Sequence, residues 1–212
     1  EDIASYSTYL DFINELKSEN KSKIEVDVNV DLKDDCLKFY CNNPEASSIE
    51  FNKGFNQITG ESGSGKTLFL KSLFFRNEQY FNKMVILYQS SSHQFRNKCP
   101  KDLIVQYLEY DKNLFDRVYK CIELKKDKDE ECDGYSGGEE QRMRIGMVLY
   151  QALILNSKVI ILDEPDNGID PPIFNKIMSN IGEEFKEYII IFTTHKGDSL
   201  EITRNEIDIK DL

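Results

Sequence analysis

The sequence predicts an α/β fold with a parallel sheet, a small N-terminal antiparallel β part and a helical subdomain. Three observations predict it. Short continuous apolar runs recur at residues 84–88 (MVILY), 159–162 (VIIL) and 188–193 (YIIIFT), the pattern of parallel strands buried on both faces. Stretches with apolar residues at helical spacing lie between them, and strands that alternate with helices imply a parallel sheet. Near the N-terminus, residues 24–30 (IEVDVNV) alternate strictly and residues 36–41 (CLKFYC) are rich in strand formers, which suits an antiparallel pair.

Each element follows in order. Ile3, Tyr6, Leu10, Ile13 and Leu16 form an apolar stripe, so residues 1–23 read as a linker helix ahead of one domain over residues 24–212. Residues 55–59 (FNQIT) run into a glycine-rich turn, and residues 67–75 are apolar at helical period. Residues 102–124 are expected to be helical, and the charged run 125–131 to be a solvated loop. Helical patterning returns over residues 137–155, which makes about 90–150 a helical subdomain. Residues 171–185 begin a further helix on proline, a favoured first-turn residue, and residues 206–209 are strand-like.

Composition bounds the function. The 212 residues carry 27 Lys+Arg and 38 Asp+Glu, a formal charge of −11, which disfavours binding to nucleic-acid phosphates. The longest apolar runs fall far short of the roughly 20 residues a membrane span needs. Five cysteines, without a CxxC pair, fit a reducing compartment better than a disulfide framework or zinc site. The sequence opens on Glu1 and reads as a domain cut from a longer polypeptide.

The chemistry concentrates in a few segments. Residues 60–67 (GESGSGKT) fit G-x-x-x-x-G-K-[ST] between a predicted strand and a predicted helix, the context of a phosphate-binding P-loop. Such a loop needs backbone N–H groups turned inward around phosphate oxygens, here from Gly60, Ser62, Gly63, Ser64 and Gly65, at the positive end of a helix. Lys66 would reach the β and γ phosphates and the Thr67 hydroxyl would ligate magnesium. Residues 159–164 (VIILDE) end a buried strand on two carboxylates: Asp163 for magnesium, Glu164 as general base for the attacking water. A helix cap or turn residue is the alternative for either. Residues 135–142 (YSGGEEQR) precede a long helix and could expose N–H groups to an anion, or simply cap that helix. His195 follows another strand.

The order of these segments resembles that of the ATP-binding-cassette (ABC) ATPases, over most of the chain. The resemblance implies a P-loop NTPase core that binds and hydrolyses ATP with Mg2+. It implies Lys66 and Thr67 in Walker A, Gln89 in the Q-loop, and Ser136, Gly137 and Gly138 in the signature. It also implies Asp163 and Glu164 in Walker B, Asp170 in the D-loop and His195 as the switch histidine. Gln89 would position water or magnesium, and Tyr40 resembles the aromatic residue that stacks on adenine; a strand-core tyrosine is the alternative. His93 matches no motif.

The chain departs from the family in its short spacing of 23 positions from Lys66 to Gln89, which leaves no room for the usual hairpin, and in Glu139, where transporter signatures commonly carry glutamine. Two functions are expected to compete. The first is the cassette of an ABC transporter of exporter type, paired with a second cassette and joined to a membrane domain in the same polypeptide, on the cytoplasmic side of a membrane. The second is a soluble ABC-type ATPase that assembles or remodels a protein partner.

Overall fold

The computed structural model describes residues 29–33, 36–40, 48–80, 82–87, 95–106, 108–195 and 199–212. The linker-helix stripe, residues 24–28 of the first expected strand, Gln89 and His93 lie outside the described residues.

Two sheets organise the chain. A small antiparallel sheet has the order β1 (Asn29–Lys33), β2 (Cys36–Tyr40), β3 (Ile49–Asn52). The first strand thus continues to Lys33 where the sequence pattern stops at Val30. The third strand has no clear signal, since only Ile49 and Phe51 of its four residues are apolar. A turn at Lys53 and Gly54 then carries the chain into the second sheet: Gly54 has φ 88, and the Asn56 amide donates to the Asn52 carbonyl at 2.7 Å.

The second sheet is parallel throughout, in the order β5 (Met84–Leu87), β6 (Val159–Leu162), β7 (Ile189–Phe192), β4 (Gly54–Thr59), β8 (Arg204–Asp208). Every residue of β5, β6 and β7 is buried, so the continuous apolar runs report burial on both faces. Helix α1 (Lys66–Phe75) follows β4, and a single 3-10 turn separates it from β5.

The expected helix over residues 102–124 is two helices, α2 (Pro100–Val105) and α3 (Lys112–Cys121). Gln106 ends α2 with φ 42 and ψ −108, and Asp111 caps α3 by accepting from the Leu114 N–H at 2.9 Å. The break is held from elsewhere: the Tyr150 hydroxyl donates to the Glu109 carbonyl at 2.6 Å and accepts from the Asp111 N–H at 2.7 Å. Tyr150 belongs to α4 (Gly137–Ile154), which packs against α2, α3, β5 and β6. Helix α5 (Pro171–Glu184) leads to β7.

Parallel strands discharge their loops at one edge. The C-terminal ends of β4, β6 and β7 are neighbours, so the glycine-rich loop, Asp163–Glu164 and Thr193–His195 emerge side by side, where open α/β sheets bind ligands.

Candidate functional site

The loop between β4 and α1 has a backbone that its glycines make possible. Gly60 has φ 137, and a Cβ there would stand 2.6 Å from Ile209 Cγ2. Gly65 caps α1 from the left-handed region with φ 98 and offers no side chain to the first-turn N–H donors. Those donors suit an anion, which the helix dipole would also favour. The Lys66 ammonium donates to the carbonyls of Gly60 at 2.9 Å and Glu61 at 2.8 Å.

Register brings the carboxylates to this loop. Leu162 pairs with Phe192 across β6 and β7, so Asp163 and Thr193 stand abreast one residue on, and the Thr193 N–H donates to the Leu162 carbonyl at 3.1 Å. Asp163 is 7% exposed. Its Oδ1 accepts from the Thr67 hydroxyl at 3.1 Å and from the Thr193 hydroxyl at 2.8 Å. Glu164 takes φ 47, and its Oε1 lies 2.8 Å from His195 Nε2. Ser62, Gly63, Gly65, Lys66, Thr67, Leu68, Lys71, Glu164 and His195 line one cleft of about 320 Å³.

The residues fit a magnesium ion. Thr67 and Asp163 offer hard oxygen atoms only, and magnesium is commonly held by one or two protein groups beside phosphate oxygens and water. Among the described residues no cluster of three or more His, Cys, Asp or Glu could hold a metal by itself.

Ser136, Gly137, Gly138 and Asp170 are not among the residues lining the cleft. Ser136 caps α4 in a reciprocal box: its hydroxyl accepts from the Glu139 N–H at 3.3 Å while its own N–H donates to Glu139 Oε2 at 2.8 Å. Gly138 is pressed against the turn before α5, where a Cβ would stand 2.7 Å from the Gly168 carbonyl oxygen. Asp170 is the N-cap residue of α5 and is exposed. Tyr40, at the end of β2, is 45% exposed, which sets aside the strand-core reading of this tyrosine.

Sequence reading missed Thr193 and Gln141. Gln141, on α4, donates from its amide to the carbonyls of Glu164 at 3.3 Å and Pro165 at 3.5 Å. Neither residue has a local signal, because their partners are fixed by strand order and helix packing.

A family model described as an AAA domain matches residues 49–197. The phosphate import ATP-binding protein PstB of Mycoplasmoides gallisepticum is 26% identical over 204 residues, a match that covers 74% of this chain and 60% of that protein. The chain spans less than two thirds of the length of the curated relatives it matches. Among solved structures, a bacterial Atm1-family ABC exporter with ATP bound superposes with a TM-score of 0.65 at 18% identity, covering 95% of this chain and 42% of that one. The ADP conformation of an ATP-binding cassette of an ABC transporter gives 0.53 at 19% identity, covering 73% of this chain and 77% of that one. These two likenesses concern the fold. With the phosphate loop, the strand-end carboxylates and the signature turn in this order, the chain belongs to the AAA-domain family and is a nucleotide-binding domain of the ATP-binding-cassette ATPases.

Proposed function

We propose that this domain binds and hydrolyses ATP as the cassette of an exporter-type ABC transporter, closing on a second cassette around two ATP molecules. One observation carries the dimer: Ser136 and Gly138 sit at a helix N-terminus that does not line their own chain's cleft. A two-fold axis would bring this terminus to a partner's phosphate loop and complete two sites at once.

Within each site, Gly60, Ser62, Gly63, Ser64 and Gly65 cradle the phosphates with backbone N–H groups, and Lys66 neutralises the β and γ phosphates. Thr67 and Asp163 hold magnesium, with Gln89 assigned to the same ion; when bound, the ion supplies charge to the phosphate oxygens. Glu164 accepts the proton of the attacking water. His195 orients the Glu164 carboxylate and bonds the γ phosphate. Tyr40 stacks on adenine, and Asp170 faces the partner cassette. The membrane domain belongs to the same polypeptide, with the cassette on the cytoplasmic side.

The soluble alternative draws on Glu139, the short spacing from Lys66 to Gln89 and the acidic charge. Glu139 has a local task in the capping box of α4, a position that glutamine also occupies in such boxes, so it does not separate the two readings.

The test is Glu164→Gln, which keeps shape and removes the base. Turnover is expected to fall by roughly 10² to 10⁴, with ATP still bound and a dimer accumulating in light scattering when ATP is added. A variant that binds ATP tightly yet stays monomeric would overturn the composite site. Undiminished phosphate release would overturn Glu164 as base.

A further inference from the structure

Glu164 occupies a conformation its sequence disfavours twice. A φ of 47 is left-handed, a region from which Cβ contacts exclude most residues other than glycine. It also precedes Pro165, and a residue before proline is biased toward extended backbone. Something in the fold must hold it there.

Two buried side chains do so from opposite ends of the residue. The Thr193 hydroxyl accepts from the Glu164 N–H at 2.9 Å, and Thr193 is 1% exposed. The same hydroxyl spends its one proton on Asp163 Oδ1 at 2.8 Å, so a donor and an acceptor are used once each. At the other end, the Gln141 amide donates to the Glu164 carbonyl at 3.3 Å and the Pro165 carbonyl at 3.5 Å, and Gln141 is 4% exposed. Arg144 donates to Gln141 Oε1 at 3.5 Å, which turns the amide nitrogen toward those carbonyls. With both ends fixed, the Glu164 carboxylate reaches the cleft and lies 2.8 Å from His195 Nε2.

We propose that Thr193 and Gln141 are positioning residues for Glu164, clamping its backbone in the left-handed conformation that presents the carboxylate to the substrate cleft. This rests on the reading of Glu164 as general base. Neither residue is assigned to touch nucleotide; each acts through the carboxylate it aims. Gln141 also lies five residues past Ser136 on α4, so the helix that would meet a partner's nucleotide is tied to the base of its own site.

The experiment compares Thr193→Val, Thr193→Ser, Gln141→Met and Glu164→Gln in the purified protein, by steady-state phosphate release, ATP titration calorimetry with and without magnesium, and thermal melting. Valine matches threonine in shape and suits a buried strand end, so only the hydroxyl is lost. Thr193→Val and Gln141→Met are expected to lower kcat by roughly 10- to 100-fold, the scale of a misplaced reacting group, and Thr193→Ser to restore it. Because Gln141 bonds neither Thr67 nor Asp163, its variant is expected to keep magnesium-ATP affinity while kcat falls. Should Gln141→Met melt below the assay temperature, Gln141→Glu, which keeps the volume and removes the donor, takes its place. Wild-type turnover in the valine and methionine variants beside an inactive Glu164→Gln would overturn the clamp and leave the base standing. Thr193→Ser as slow as Thr193→Val would also overturn it. Full activity in Glu164→Gln would instead remove the reading on which the proposal rests.

Discussion

One methyl group distinguishes the two signature glycines. Alanine at Gly138 would drive its Cβ to 2.7 Å from the Gly168 carbonyl oxygen, whereas a Cβ at Gly137 meets nothing within 4 Å. Gly138→Ala is therefore expected to lower stability by about 1–3 kcal/mol, and Gly137→Ala to leave melting unchanged; denaturant unfolding of both checks this. If Gly137→Ala folds normally and still loses ATP turnover, the space above Gly137 is needed by something outside the chain. Tyr40 gives a second test at this scale. Since it is 45% exposed, Tyr40→Ala is expected to leave the fold intact and weaken ATP binding by about 1–2 kcal/mol, with Tyr40→Phe near wild type in calorimetry. At residue scale the motifs single out Lys66, Glu164 and His195, and the structure gathers all three in one cleft. The sequence hid Thr193 and Gln141, whose work depends on neighbours 30 and 23 positions away.

Helix α4 shows how an element can serve two ends. Its capping box satisfies Ser136 and Glu139 reciprocally, and Ser136→Ala is expected to cost about 1 kcal/mol. Burial alone would raise the Glu139 pKa, but the Ser136 N–H and hydroxyl, with Lys126 and Arg142 nearby, hold it below its ordinary 4.5. A depressed carboxylate stabilises the fold fully above its ordinary value, and this contribution drains away as pH falls through the folded value. Glu139→Gln is accordingly expected to lower the melting temperature most near neutrality, with the difference from wild type shrinking below about pH 4.5; melting curves across that range decide it. Element existence was legible where apolar runs were long or uniform, as in β5, β6, β7 and α4. The break between α2 and α3 was not, because the Tyr150 hydroxyl, 39 and 41 positions away, supplies the bonds that make it.

Across the whole molecule, α3 is tied to α5 through Cys121 and Asn180. Burial pushes the Cys121 thiol up to about 12, and the Tyr119 phenol likewise to about 12. Cys121 Sγ lies 3.8 Å from the Asn180 carbonyl oxygen, and the Asn180 amide donates back to the Cys121 carbonyl at 3.3 Å. A raised thiol pKa favours the fold fully below the unfolded value of 9.0, and that advantage is lost as pH climbs toward about 12. Denaturant midpoints are thus expected to fall steadily above about pH 9, and more gently in Cys121→Ala, which starts lower and has one fewer group to ionise. The four described cysteines are all free thiols.

A free lysine side chain carries about 2 kcal/mol of rotamer freedom, and a ligand that must first arrest it forfeits that much affinity. Lys66 is already tethered to two carbonyls of its own loop. Its disorder has been surrendered during folding, so an arriving polyphosphate meets a charge standing in place, and recognition begins from a prepared surface.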